Sequence, residues 1–144
     1  MAAAIGAKLS GLRDGRAVAA AAAGDLHQVL GFPCCRVAEL RNGEVVVVAA
    51  AGGAPSPAPA DDEEVIVRCL HERRPVLAAD ASVAGGMRSE LAVPLYVGGR
   101  LWGAVDVRSP RVAAFDADDA QVVQTVADHA GAALLKAARV LERR

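Results

Sequence analysis

The run SELAVPLYVGGRLWGAVDVRS at 89–109 constrains the fold of this chain more than any other stretch. Gly98-Gly99 stands between two alternating runs, the pattern of a tight antiparallel hairpin. A two-residue turn with unbroken register would set Leu91 against Asp106 and Leu95 against Trp102, mixing core and polar positions. A register shifted by one residue gathers Leu91, Val93, Leu95 and Val97 with Leu101, Gly103, Val105 and Val107. The opposite face then carries Glu90, Ala92, Pro94 and Tyr96 beside Trp102, Ala104, Asp106 and Arg108. A one-residue slip exchanges the faces of a strand, so the apolar pattern favours the shifted register. One face is core, and the other sets two carboxylates among small residues.

The remaining elements follow from periodicity and punctuation. Ile5, Leu9 and Leu12 predict a short amphipathic helix over 3–12, and a second helix is predicted over 16–30. The second turns Val18, Ala22, Leu26, Val29 and Leu30 inward and is closed by Gly31 and Pro33. A hairpin follows, Cys34–Leu40 and Glu44–Ala50 around Asn42-Gly43, a pair suited to a type I′ turn. The continuous run Val45–Val48 predicts a strand covered on both faces. Residues 51–60, rich in proline and glycine, read as a loop. Asp61 and Glu64 predict a capped helix over 61–73, with Val65, Ile66, Cys69 and Leu70 as its buried stripe. Pro75 ends that helix, Val76–Ala79 reads as a short strand, and 80–88 is a second loop. Asp116 caps the last helix, 117–142, with Phe115 and Ala120 at the positions of a hydrophobic staple.

This order predicts an α+β domain spanning 1–144. Its centre is an antiparallel sheet of five or six strands, with the N- and C-terminal helices on one face and loops and a short helix on the other. Small residues at Ala130, Gly131, Ala132, Ala133, Ala137 and Ala138 suggest close helix approach, and hence a homodimer through the last helix.

Composition excludes several classes of function. A net charge of −1, with acids and bases interspersed, gives no basic footprint for nucleic acid. No run approaches the ~18 apolar residues of a membrane span. The start MAAAIGAKLS has no basic region leading into a leucine-rich core, so no secretory signal is read. Three cysteines without framework spacing suit a reducing cytoplasm. No two histidines share metal-ligand spacing, no phosphate-binding glycine loop precedes a helix, no metal is expected, and the cofactor is left open.

The strand Ser89–Leu95, the Gly98-Gly99 turn, the strand Leu101–Val107, then Phe115-Asp116-Ala117-Asp118-Asp119 and the apolar helix beyond resemble the GAF domain family. These are small-molecule sensory relatives of the PAS fold. The resemblance implies a sensory or regulatory domain whose ligand lies between the sheet and the cap formed by 51–88. Glu90 and Asp106 match by position two acidic residues with which free methionine-(R)-sulfoxide reductases, themselves GAF proteins, hold their amino-acid substrate. Those enzymes carry a nucleophilic cysteine just before the Ser-Glu strand, where this chain reads DASVAGGMR at 80–88. A thiolate is indispensable to that redox chemistry, so no enzyme activity is expected. Only Phe115-Asp116 survives of the cyclic-nucleotide pattern, and Asp116 serves as a cap. Cys69-Leu70-His71 is not the cysteine–histidine pair of bilin binding, and His71 reads as a C-terminal helix charge.

The candidate ligand-binding set is therefore Glu90, Ala92, Ala104 and Asp106, with Trp102 as a stacking surface and Cys69 on the cap helix. The alanines remove bulk from the middle of the face. Two shielded carboxylates favour a cationic guest unless Arg88 or Arg108 already supplies the charge. The same fold without a ligand would act as a dimerisation or partner-docking module.

Overall fold

The computed structural model describes residues 2–10, 14–53, 63–80 and 86–142. In chain order the elements are α1 (Ala2–Ser10), α2 (Gly15–Gln28), β1 (Cys34–Arg41), β2 (Glu44–Gly52), α3 (Glu64–Glu72), β3 (Val76–Ala78), β4 (Ser89–Val97), β5 (Arg100–Ser109) and α4 (Ala117–Glu142). The strands form one antiparallel sheet in the order β2-β1-β5-β4-β3. Helices α1, α2 and α4 cover one face around Leu9, Val18, Leu26, Val93, Val105 and Val126. The short helix α3 covers the other, where Val65, Ile66, Cys69 and Leu70 pack on Ala38, Ala92 and Ala104. The α+β architecture is the one the element order implies.

The central hairpin reconciles turn and register. Gly98 and Gly99 have φ of 59° and 79°, and Val97 pairs with Arg100, so the turn has two residues. The pairing then slips between Leu95 and Tyr96, leaving Trp102 as the extra residue of a bulge on β5. Beyond it Leu91 faces Val107 and Val93 faces Val105, as the apolar pattern requires. The bulge exchanges the faces of the two residues next to it. Trp102 packs with the core under α4, and Leu101 packs with the core under α3. The expectation that Trp102 shares a face with Ala104 and Asp106 is corrected by this single inserted residue.

Other details also differ from the sequence reading. The valines of β2 are not covered on both faces. This strand is an edge of the sheet, and Val47 is 40% exposed. Val29 lies at the C-cap of α2 and is exposed, because the helix ends at Gln28. The N-cap position of α3 is Glu63, while Asp61 falls outside the described residues. Leu12 also falls outside them.

Four of the six small residues of α4 serve packing within the chain, while Ala132 and Ala138 are exposed. Ala130, Ala133 and Ala137 are buried in the domain, and a Cβ added at Gly131 would lie 2.0 Å from the Tyr96 carbonyl oxygen. Glycine there lets α4 rest on the backbone of β4. At the other end of α4's first turn, Asp116 and Asp119 cap each other reciprocally. The Asp119 N–H donates to Asp116 Oδ1 at 2.9 Å and the Asp116 N–H to Asp119 Oδ2 at 3.0 Å.

Candidate functional site

Strand alternation and register place the site. On β1, Cys35 and Val37 point into the helix-side core, so Cys34, Arg36 and Ala38 face α3. Register then aligns two neighbouring rows across the sheet. Arg36 stands opposite Asp106, which stands opposite Ala92, and Cys34 stands opposite Arg108, which stands opposite Glu90. The N-terminus of α3 sets Glu63 above both rows. Five ionisable groups from four elements thus meet on one face of the sheet.

The geometry is that of a buried ionic network. Arg36 donates from Nη1 to Glu63 Oε1 at 2.6 Å and from Nη2 to Glu63 Oε2 at 2.7 Å. The same guanidinium donates from Nε and Nη2 to Asp106 Oδ2 at 3.1 and 2.9 Å. Arg108 Nη2 donates to Glu63 Oε2 at 3.2 Å. Arg108 Nε lies 3.3 Å from Glu90 Oε2 and 3.4 Å from Asp106 Oδ2. Glu90 is 1% exposed and Asp106 is fully buried. Both Glu90 oxygens, Asp106 Oδ1 and Arg108 Nε nevertheless lack hydrogen-bond partners among the described residues. Such orphaned buried atoms cost free energy and call for an explanation.

Protonation of Glu90 supplies part of it. Burial, then the adjacent charge of Asp106, raises its pKa well above the carboxylate range, and the two arginines only partly counter this. A protonated Glu90 donates to Asp106 and satisfies one oxygen on each. Two guanidiniums then face two carboxylates, and the network is neutral. Arg36 is held cationic more firmly than usual. Burial works against its charge, but the bonds to Glu63 and the charge of Asp106 outweigh that.

The structure brings Glu90, Asp106, Ala92, Ala104 and Cys69 to one face and places Trp102 on the other. Arg108 supplies countercharge as one alternative foresaw, but Arg88 does not. It pairs instead with Asp80 at the surface, Nη2 to Oδ1 at 2.9 Å. The space above Ala92 and Ala104 is occupied by Ile66 and Cys69 of α3. Arg36 and Glu63 were missed by the sequence reading. The signal for Arg36 was available, since a charged residue between Cys34 and Ala38 on an inward face demands a partner. Nothing local marks Glu63, which reaches the network only through the placement of α3.

The three cysteines are free thiols in buried surroundings. Burial pushes Cys35 and Cys69 up to about 12, and Cys34 is raised by burial and by Asp106. These thiols stay protonated at neutral pH and are poor nucleophiles.

An open antiparallel sheet with a helical layer behind and a short helix capping a polar face defines an open-sheet α+β domain. The GAF domain model matches residues 14–134, and the chain belongs to that family. Solved structures share the fold. The free methionine-R-sulfoxide reductase of Neisseria meningitidis, in complex with its substrate, superposes with a TM-score of 0.79 at 23% identity, over 95% of this chain and 87% of that one. A putative GAF sensor protein from Burkholderia vietnamiensis gives 0.78 at 22% identity, over 100% and 95%. The GAF domain of an Acinetobacter phosphoenolpyruvate-protein phosphotransferase gives 0.80 at 13%, over 96% and 93%. No curated protein matches the chain in sequence. Among the described residues, no helix is long and apolar enough to cross a membrane.

Proposed function

We propose that the chain is a non-catalytic sensory domain that binds a small molecule on the face beneath α3, contacting Glu90 and Asp106 over a floor of Ala92 and Ala104. Cys69 borders that floor from the cap. The observation that carries this reading is the pair of polar atoms that the Glu90 proton leaves orphaned, one Glu90 oxygen and Arg108 Nε, buried where a purely structural core would have satisfied or removed them. Access requires α3 to shift, and a nine-residue helix is short enough to do so at modest cost. Ligand binding would therefore be read out as a change in how the cap packs on the sheet. The similarity to the putative sensor protein supports a regulatory role. Against catalysis stand the missing cysteine at 80–88 and the raised thiols elsewhere.

The original reason for expecting a cationic guest is weakened by the structure, because Arg36 and Arg108 already face the carboxylates. That observation, with Ile66 and Cys69 filling the face, favours a second reading as a ligand-free docking or dimerisation module. A thermal-stability screen against a panel of small metabolites separates the two. Binding beneath α3 predicts compounds that stabilise the wild type but not Ala104→Leu, which fills the floor while keeping the same far-ultraviolet circular dichroism. Compounds that stabilise both equally, or none at all, would contradict it.

A further inference from the structure

Of the three carboxylates in the network, two are carried on paired strands and one is not. Glu90 and Asp106 cannot leave without breaking the ladder of β4 and β5. Glu63 sits one residue before α3, and its side chain makes no capping bond to the helix. Its carboxylate is committed to Arg36 and Arg108 instead. It can leave by rotating outward or by unwinding the first turn of a short helix.

Resting on the reading of this face as a ligand site, we infer that Arg36 and Arg108 form a receptor for the carboxylate of a small monoanionic organic acid, and that Glu63 is the internal occupant which such an acid displaces. The fork of Arg36 fits a carboxylate by two parallel hydrogen bonds, a geometry with no counterpart for an amine or an amide. Charge makes the same selection. Once Glu63 has turned away, the two guanidiniums lack one negative partner, which a monoanion restores and a cation worsens. The acid's body would replace apolar contacts of α3 over Ala92 and Ala104, so it is small and largely apolar. Glu90, with one oxygen still free once the other has donated its proton to Asp106, is placed to engage a polar substituent. In the resting protein Glu63 competes as an intramolecular ligand whose effective concentration is high, so the wild type binds the acid weakly.

Butyrate, butyramide and butylamine share one chain and differ only in their head group, and they test the inference by titration followed in amide nuclear magnetic resonance spectra. Butyrate is expected to shift the amides of 65–70 and of Ala92 and Ala104, with butyramide and butylamine inert at the same concentrations. Glu63→Gln is expected to tighten butyrate by about tenfold or more, a change of ~1.4 kcal/mol per tenfold. Arg36→Lys, which keeps the charge and loses the fork, is expected to abolish that gain in the Glu63→Gln background. Butyrate affinity that Glu63→Gln leaves unchanged, or preference for the amine, would overturn the displacement while leaving the sensory reading standing. If no probe moves the amides over Ala92 and Ala104 in either protein, the inference fails, and the sensory reading is then decided by the metabolite screen. Should Glu63→Gln not fold, the wild type decides alone: butyrate must move the α3 amides where butyramide does not, and equal shifts would overturn the inference.

Discussion

Arg36 and Glu63 meet in a two-bonded fork, at 2.6 and 2.7 Å, and so tie the third residue of β1 to the start of α3. Both are buried, and Arg36 is shared between Glu63 and Asp106. Removing one member of such a pair strands the other in a poor dielectric. Arg36→Met is expected to lower unfolding stability by about 3–5 kcal/mol, read from denaturant midpoints. A loss below ~1 kcal/mol, the worth of a surface pair, would show that the network is solvated.

The proton on Glu90 gives stability a pH signature. A carboxyl whose folded pKa is raised binds more protons when folded, so its contribution is complete below the unfolded pKa of 4.5 and is lost as pH climbs toward the folded value. Wild-type stability is expected to fall between pH 5 and pH 9, by at most ~1.4 kcal/mol per pH unit. Glu90→Gln, which mimics the protonated form, flattens that slope. Asp116, held below its usual value by the Asp119 backbone N–H, acts only on the acid side and stays outside this window. An unchanged slope in Glu90→Gln would exclude Glu90 as the proton's home.

Much of this was legible in the sequence, and the misses have physical causes. Alternation along 91–107 gave the inward set of the hairpin, because a strand's two faces differ by one residue. Trp102 was misplaced because turn length and register were treated as one choice, whereas a bulge satisfies both. Val45–Val48 was misread because strand order is set by long-range pairing, and nothing in four valines says that their strand is an edge. Glu90 and Asp106 were found from the face they share, while Glu63 required the position of α3.

At Gly131, α4 rests on the backbone of β4. Gly131→Ala would drive a Cβ to 2.0 Å from the Tyr96 oxygen, so α4 must move off β4. The expected loss is about 1–3 kcal/mol, against less than ~0.5 kcal/mol for Ala132→Ser at the exposed neighbouring position. Equal effects would show that the helix does not rest on that strand. Ala130, Gly131, Ala133 and Ala137 are used internally, while Ala132 and Ala138 stay exposed on α4 for a homodimer contact. Sedimentation across micromolar concentrations checks it, with a monomer throughout counting against assembly.

The thiols should be inert. With Cys35 and Cys69 pushed up to about 12 and all three buried, labelling by an aromatic disulfide reagent is expected only at the rate of unfolding. No thiol-dependent reduction of methionine sulfoxide is expected either, and turnover that Cys69→Ser abolishes would refute this.

Native mass spectrometry of gently purified protein tests the central claim most directly, since a small molecule held beneath α3 travels with the folded chain. The account predicts a species heavier than the bare chain, whose extra mass is lost on denaturation and is absent from Ala104→Leu. The bare chain mass in every preparation, or an adduct that Ala104→Leu retains in full, would contradict it.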